Sequence, residues 1–291
     1  LKTTLIEQLQ SSHFPKGGSD KEKEALSEFD YWFTRDADGV IRNRSEHFDG
    51  NKRSCVYINE SLPLTPEIKQ QALIFYDLTN QYGQAWVSRF DNTYIFTADN
   101  IITQYWPNIP TWCQDATTDL DLTKKEFFIV ADKQHNPNRT TVWTGVYYES
   151  VANTWLVSAI TPVDIQGKHI ANIGNDIELN DLLDRTITQR LEYSYNMIFR
   201  TDGRLIVHPR WILQMMHKNG KFNMLEDGNA QLKHIFRLVH EVGNGIIEDK
   251  ENYQYLAVTK IDGPDWYLVV VFSKTFFTET ALQTAQLILM L

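Results

Sequence analysis

The chain has 291 residues, 42% of them hydrophobic, and carries a formal net charge of −9 with no long basic run. It exceeds the usual single-domain size and is far from a disordered composition, so two domains with true cores are expected. Clustered Lys and Arg are what phosphate contacts need, so nucleic-acid binding is excluded as a leading function.

At the N-terminus, Leu1, Leu5, Ile6 and Leu9 have helical spacing over residues 1–10, and Pro15-Lys16-Gly17-Gly18 breaks it. Ser19 with Glu22 reads as a capping box for a second helix whose apolar face is Ala25, Leu26, Phe29 and Phe33. Asp38-Gly39 is a turn into a strand at Val40-Ile41, and 55–58 is another strand. Thr65-Pro66 caps and starts a helix for which Gly83 is the expected stop. A short strand at 94–97 precedes an irregular stretch, 100–138, rich in Pro, Asp, Asn and Trp. Strands are then expected at 141–148, 155–160 and 169–173, with a helix at 178–190. Their connections are too short for helical crossovers, which points to an antiparallel sheet.

A second unit is expected from about Tyr195, with strands at 197–199, 205–208, 245–248, 253–261 and 266–272. Helices are expected at 211–217, at 230–242 and from Ser273 onward. The units share landmarks. Phe33 leads through Asp38-Gly39 to Val40-Ile41, as Phe199 leads through Asp202-Gly203 to Leu205-Ile206. Trp155-Leu156-Val157-Ser158 is matched by Trp266-Tyr267-Leu268-Val269. A tandem duplication is the reading, with an insertion of about 53 residues in the first copy; the alternative is coincidence, since Asp-Gly turns are common.

The cysteines Cys55 and Cys113 form no CxxC pattern, so a zinc site is not expected. Two buried apolar thiols are preferred over a disulfide, because sequence does not give the Cα separation that a bridge requires. No signal peptide and no run of about 20 apolar residues occurs. The chain starts at Leu1 without Met and stops in Leu287-Ile288-Leu289-Met290-Leu291, ends that fit a segment cut between two membrane helices.

With these elements in this order, nearly the whole chain resembles the double Cache sensor domains of bacterial histidine kinases, diguanylate cyclases and chemoreceptors, and the most telling stretch is 110–179. Pro110-Thr111-Trp112-Cys113-Gln114-Asp115-Ala116 is similar to the family's aromatic pair before an acid and Ala, and 142–149 to its strand with a pocket Tyr. Trp155-Leu156-Val157-Ser158 with Pro162-Val163, and Gly174-Asn175-Asp176-Ile177, resemble the next strand and the one ending in a pocket Asp.

The resemblance implies an α+β fold of two PAS-like (Cache) modules in tandem, each an antiparallel sheet flanked by helices, with a long N-terminal helix. The implied organisation is an N-terminal helical segment (1–34), a membrane-distal module (35–192), a membrane-proximal module (193–273) and a C-terminal helix toward the membrane (274–291). The implied function is extracytoplasmic sensing of a small molecule of unknown class by the distal module, relayed through the membrane by flanking transmembrane helices. The second module then serves as spacer or transmitter. A homodimer is implied, and no cofactor, metal or nucleic acid. The parent is expected to be a sensor histidine kinase, with a diguanylate cyclase second.

In the family's amino-acid binders an Arg, a Trp and a Tyr hold the carboxylate and an Asp holds the ammonium. Trp112, Tyr147 and Asp176 fit, but Pro110 stands where the Arg would be and Cys113 where the Tyr would be. A carboxylate clamp strongly prefers a guanidinium, so an ordinary amino acid is not the expected ligand; Arg139 is the candidate substitute. Trp106, Trp112, Trp143 and Tyr147 with Asp176 and Arg139 are thus the candidate binding residues. Against this stands ordinary core for each Trp, and for Asp176 a cap on the helix near Glu178.

No GxSxG, HExxH, P-loop or GxGxxG motif is present, and His234 and His240 do not share a helical face as i and i+4 would, so no catalytic residues are expected. A carbohydrate-active or carbohydrate-binding protein, using Asp119 and Asp121, is the first alternative; a protein-interaction module is the second. Asn43, Asn59 and Asn138 head glycosylation-type triplets that carry no weight in a bacterial chain.

Overall fold

Alternating strand patterns joined by short turns, and helices with one apolar face, build two compact units. The computed structural model of the chain describes residues 1–11, 20–187 and 193–275. In chain order the elements are α1 (Lys2–Ser11), α2 (Asp20–Trp32), β1 (Phe33–Arg35), β2 (Ile41–Asn43), β3 (Cys55–Ile58), α3 (Pro66–Trp86), β4 (Asn92–Phe96), β5 (Ile101–Tyr105), α4 (Trp112–Asp115), α5 (Glu126–Ile129), β6 (Val142–Trp143), β7 (Tyr147–Glu149), β8 (Thr154–Ile165), β9 (Lys168–Glu178) and α6 (Leu179–Ile187). There follow β10 (Ser194–Arg200), β11 (Leu205–Val207), α7 (Ile212–His217), α8 (Ala230–Val242), β12 (Gly245–Asp249), β13 (Gln254–Ile261) and β14 (Trp266–Ser273).

The first unit comprises residues 1–144, 149–154 and 158–177; the second takes 145–148, 155–157 and the chain from 178. The first sheet runs β1-β2-β3-β5-β4-β9-β8-β6, with β7 on β8; the second runs β11-β10-β14-β13-β12. The fold is α+β, as expected. In the N-terminal segment helix is described over Lys2–Ser11 and Asp20–Trp32; residues 12–19, with the Pro15–Gly18 break and the Ser19 cap, and the C-terminal helix beyond residue 275 lie outside the described residues. Among the described residues no helix is long and apolar enough to cross a membrane.

On one face of the first sheet, Leu5, Phe29, Ala72, Phe75 and Leu78 pack against Ile58, Ile95, Ile101 and Ile173 as one buried cluster. α3 starts as its sequence dictates: the Thr65 side chain accepts from Ile68 N–H, and Pro66 occupies the first turn, where its missing N–H is no loss. Gly83 does not stop it. The helix runs on to Trp86, and a Cβ on Gly83 would lie 2.5 Å from that of Tyr105, so this glycine permits close packing of helix on strand. The irregular reading of 100–138 is corrected in part too: Ile101–Tyr105 forms β5, buried throughout between β3 and β4.

The second unit buries Met197, Phe199, Leu205, Leu256 and Val269 under Leu232, Ile235, Phe236 and Val239 of α8, which the Asn229 side chain caps. Residues 145–148 belong here because Arg204 donates to the carbonyls of Val146 and Gly220.

The sheets repeat one another, but not through the landmarks read from sequence. β5-β4-β9-β8-β6 corresponds strand for strand to β11-β10-β14-β13-β12. The counterpart of the β10–β11 hairpin is therefore β4–β5, where Thr97 N–H bonds Ile101 as Arg200 N–H bonds Arg204, both at 2.9 Å. Asn100 takes the left-handed position (φ 56°) that Gly203 takes in the second unit (φ 88°). The hairpin at Asp38-Gly39 makes the same turn, with Asp36 N–H on Val40, but it belongs to three added edge strands. Likewise Trp155 lies in β8 and Trp266 in β14, whose counterpart is β9.

Candidate functional site: a buried acid on the open sheet face

Period-two alternation sends Asn92, Tyr94 and Phe96 of β4 to the sheet face away from Ile95 and α3. The register with β9 sets Asn92 opposite Asp176, Tyr94 opposite Gly174 and Phe96 opposite Asn172. Gly174 has a clear purpose: a Cβ there would meet the Tyr94 ring at 2.2 Å, so its absence lets the ring lie across β9. Phe127 of α5 meets Tyr94 and Phe96 edge-on, with centroids 5.9 and 5.0 Å away.

The carboxylate of Asp176, 3% exposed, accepts from Asn92 Nδ2 at 2.8 Å and from the Tyr94 hydroxyl at 2.9 Å. Its backbone N–H returns a bond to Asn92 Oδ1 at 3.1 Å. Burial pushes its pKa up to about 7; hydrogen bonds from Ser158, Asn92 and Tyr94 oppose that rise, and the charge of Glu149 adds to it. Capping of the following helix is thus not its role.

Glu149, at the end of β7, is itself buried and accepts from Trp112 Nε1 at 2.9 Å and from Ala152 N–H at 2.6 Å. Two carboxylates therefore occupy this face, and the groups that hold them are neutral donors.

The segment carrying Trp112 is pinned from below. Cys113 is disulfide-bonded to Cys55 of β3, with Cα atoms 5.6 Å apart, which corrects the expectation of two free thiols. The bridge forms because α4 docks on β3, a contact between segments 58 residues apart that sequence does not display. The Arg42 guanidinium donates to the carbonyls of Cys113 (2.9 Å) and Ala116 (2.7 Å) while Asp36 and Asp38 neutralise it at 3.0 and 2.9 Å. The Tyr57 hydroxyl and the Asn59 amide hold the carbonyls of Thr117 and Thr118.

Of the residues singled out from sequence, Trp112 and Asp176 meet here, linked through Glu149. Trp106 is buried after β5, its indole N–H without a hydrogen-bond partner among the described residues. Arg139 is engaged by Asp164, its Nε at 2.6 Å and Nη2 at 2.9 Å, and also donates to the Ala131 carbonyl. Trp143 is half-buried in β6, and Tyr147 is buried in β7 within the stretch that counts with the second unit. Asn92, Tyr94 and Glu149 were missed. The run Asn92-Thr93-Tyr94 is polar throughout and gives no alternation to single them out; their pairing with β9 does.

Asp119 and Asp121 do not form an acid–base pair. Hydrogen bonds from Thr117 to Asp119, and from Thr123 and Lys124 to Asp121, hold both carboxyls below the usual range, whereas a glycosidase acid needs a raised pKa. Asp121 caps a short turn through Thr123 N–H.

No family model matches the chain, and no curated protein matches it. Among solved structures it is similar to the extracellular domain assigned to a histidine kinase, mmHK1S-Z3. That match has 16% identity and a TM-score of 0.51, over 74% of this chain and 82% of that one. It is also similar to the ligand-binding domain of the Pseudomonas fluorescens chemoreceptor CtaA, solved with L-serine, at 18% identity and TM-score 0.50, over 73% and 82%. What these structures share with the chain is the fold, α+β with two antiparallel sheets in tandem units. At these identities the likeness establishes architecture, and function has to be argued from the site.

Proposed function

We propose that the chain is the extracytoplasmic sensing segment of a transmembrane receptor. On this reading its first unit is the membrane-distal module and binds a small molecule bearing a protonated amine. One observation carries this: Asp176 is fully buried yet held only by neutral donors beside a second carboxylate, Glu149. A buried carboxylate lacking a cation is costly, and an incoming ammonium relieves that penalty. Trp112 joins the same cluster through its indole N–H, which donates to Glu149. Among the described residues no guanidinium joins this group, Arg42 being held by Asp36 and Asp38 and Arg139 by Asp164, which favours amines without a carboxylate over ordinary amino acids.

The bridge between Cys55 and Cys113 supports an oxidising compartment. The shared fold supports a receptor of the kinase or chemoreceptor kind and a segment without catalysis of its own. Our reading takes a sensor histidine kinase as the parent, with a diguanylate cyclase second, and a homodimer whose terminal helices lead into the membrane. Binding shifts the population of two arrangements by its differential affinity for them.

A thermal-shift screen of primary amines and other metabolites tests the reading. A ligand at a hundredfold excess over Kd adds about 2.7 kcal/mol of apparent stability. Stabilisation by an amine that disappears in Asp176→Asn is expected; hits confined to anionic or neutral compounds would overturn the ligand class.

A further inference from the structure

The second unit contains a cavity of about 240 Å³ between the end of β11 and the start of α8. Tyr195, Trp211 and Leu232 give it apolar walls, and His208, Arg210 and Gln214 supply its polar groups. It opens on the sheet face that corresponds to the acid site of the first unit, because Tyr195, paired with Val271, occupies the place of Asn92, paired with Asp176.

His208 is only 3% exposed, and its Nδ1 accepts the Arg210 backbone N–H at 3.1 Å. Burial, aided by Arg210, lowers its pKa to about 4, so the ring is neutral at pH 7 and carries its proton on Nε2. That N–H has no protein acceptor among the described residues and is available to the cavity the ring lines. Arg210 is exposed and has no acidic partner among the described residues; its guanidinium lies over Tyr195, 5.9 Å from the ring centroid. The nearby carboxylate of Asp249 is already bonded by His234, Asn252 and Gln254. The cavity thus presents one unspent positive charge and one buried neutral donor, walled by aromatic rings.

We propose that this cavity is a second ligand site, independent of the Asp176 site, and that it takes a small monocarboxylate, with the carboxylate on Arg210 and His208 and a short apolar body against Tyr195 and Trp211. Arg210 supplies the fork geometry that a carboxylate matches, and His208 fixes the second oxygen. The chain is then a two-input sensor whose second unit does more than transmit.

Isothermal titration of the full chain with acetate, L-lactate and benzoate, beside inorganic phosphate, tests this. At least one carboxylate should bind more tightly than phosphate, and Arg210→Gln should weaken it by about tenfold or more with the melting temperature unchanged. His208→Gln, which keeps an amide donor, should weaken it less. Asp176→Asn should leave it intact, so loss of the amine site and loss of this one are separable. Absence of carboxylate binding, phosphate binding as tightly, an unaffected Arg210→Gln, or loss in Asp176→Asn would each overturn the proposal.

Discussion

The two sheets place matched cross-strand pairs at the centres of corresponding faces, and the chemistry of those pairs is opposite. In the first unit the pairs are Asn92 with Asp176 and Tyr94 with Gly174; in the second they are Tyr195 with Val271 and Met197 with Val269. Val271, Met197 and Val269 are buried and apolar, so the second unit has a dry centre. The first keeps a carboxylate there, with a glycine beside it to make room for a tyrosine ring. One architecture therefore hosts either a packed core or a polar site. A buried polar cluster where the sister module is aliphatic points to function, since packing alone is met by valine.

The comparison breaks most visibly if the acid is moved. Val271→Asp would bury a carboxylate without the Asn92 and Tyr94 donors. Its pKa would rise by several units, which corresponds to about 5 kcal/mol lost by the second unit at pH 8. Urea denaturation should show this collapse, and a stability change below 1 kcal/mol would mean that any position on this face accepts an acid.

The disulfide gives the next largest effect. It closes a 58-residue separation within the first unit, and the chain has no other cysteines. Reduction, or the double Cys55→Ser/Cys113→Ser variant, should lower first-unit stability by about 4 kcal/mol. Hydrogen exchange should locate the loss around β3 and α4 and leave β10–β14 unchanged.

The smallest effect is one of sign. The folded pKa of Asp176, about 7, lies above its ordinary value of 3.8, so its burial penalty is complete above pH 7 and fades as pH falls toward 4. His208 has a folded pKa of about 4 against 6.5, so the unfolded state takes up its proton first and stability is lost as pH falls below 6.5. Between pH 7 and 5 these two groups act oppositely, one stabilising the first unit and the other weakening the second. Difference profiles of Asp176→Asn and His208→Gln against the parent should therefore slope in opposite directions; parallel slopes would refute the assigned environments.

Much of the architecture was legible in the sequence because it is written locally. The Thr65-Pro66 helix start, the strand alternation and the second unit's element order all follow from neighbours in the chain. What failed was non-local. The Asp38-Gly39 turn looks like the Asp202-Gly203 turn because both solve the same local problem, whereas the true counterpart hides its left-handed residue as Asn100. Trp112 and Asp176 were singled out through the family resemblance. Asn92, Tyr94 and Glu149 could not be, since only the β4–β9 register and the docking of α4 assemble them. The Cys55–Cys113 bridge belongs to the same class.

The central claim is that Asp176 receives an ammonium, and proton linkage tests it most directly. Near pH 6.5 the unliganded carboxyl is partly protonated, and a bound cation favours its ionised form, so binding must expel protons. Titration with primary amines such as putrescine and phenethylamine, in two buffers of different ionisation enthalpy, measures that release. The account predicts a substantial fraction of one proton released per amine bound at pH 6.5, little at pH 8.5, and no binding in Asp176→Asn. Amine binding with no proton release, or binding that survives in Asp176→Asn, would contradict it.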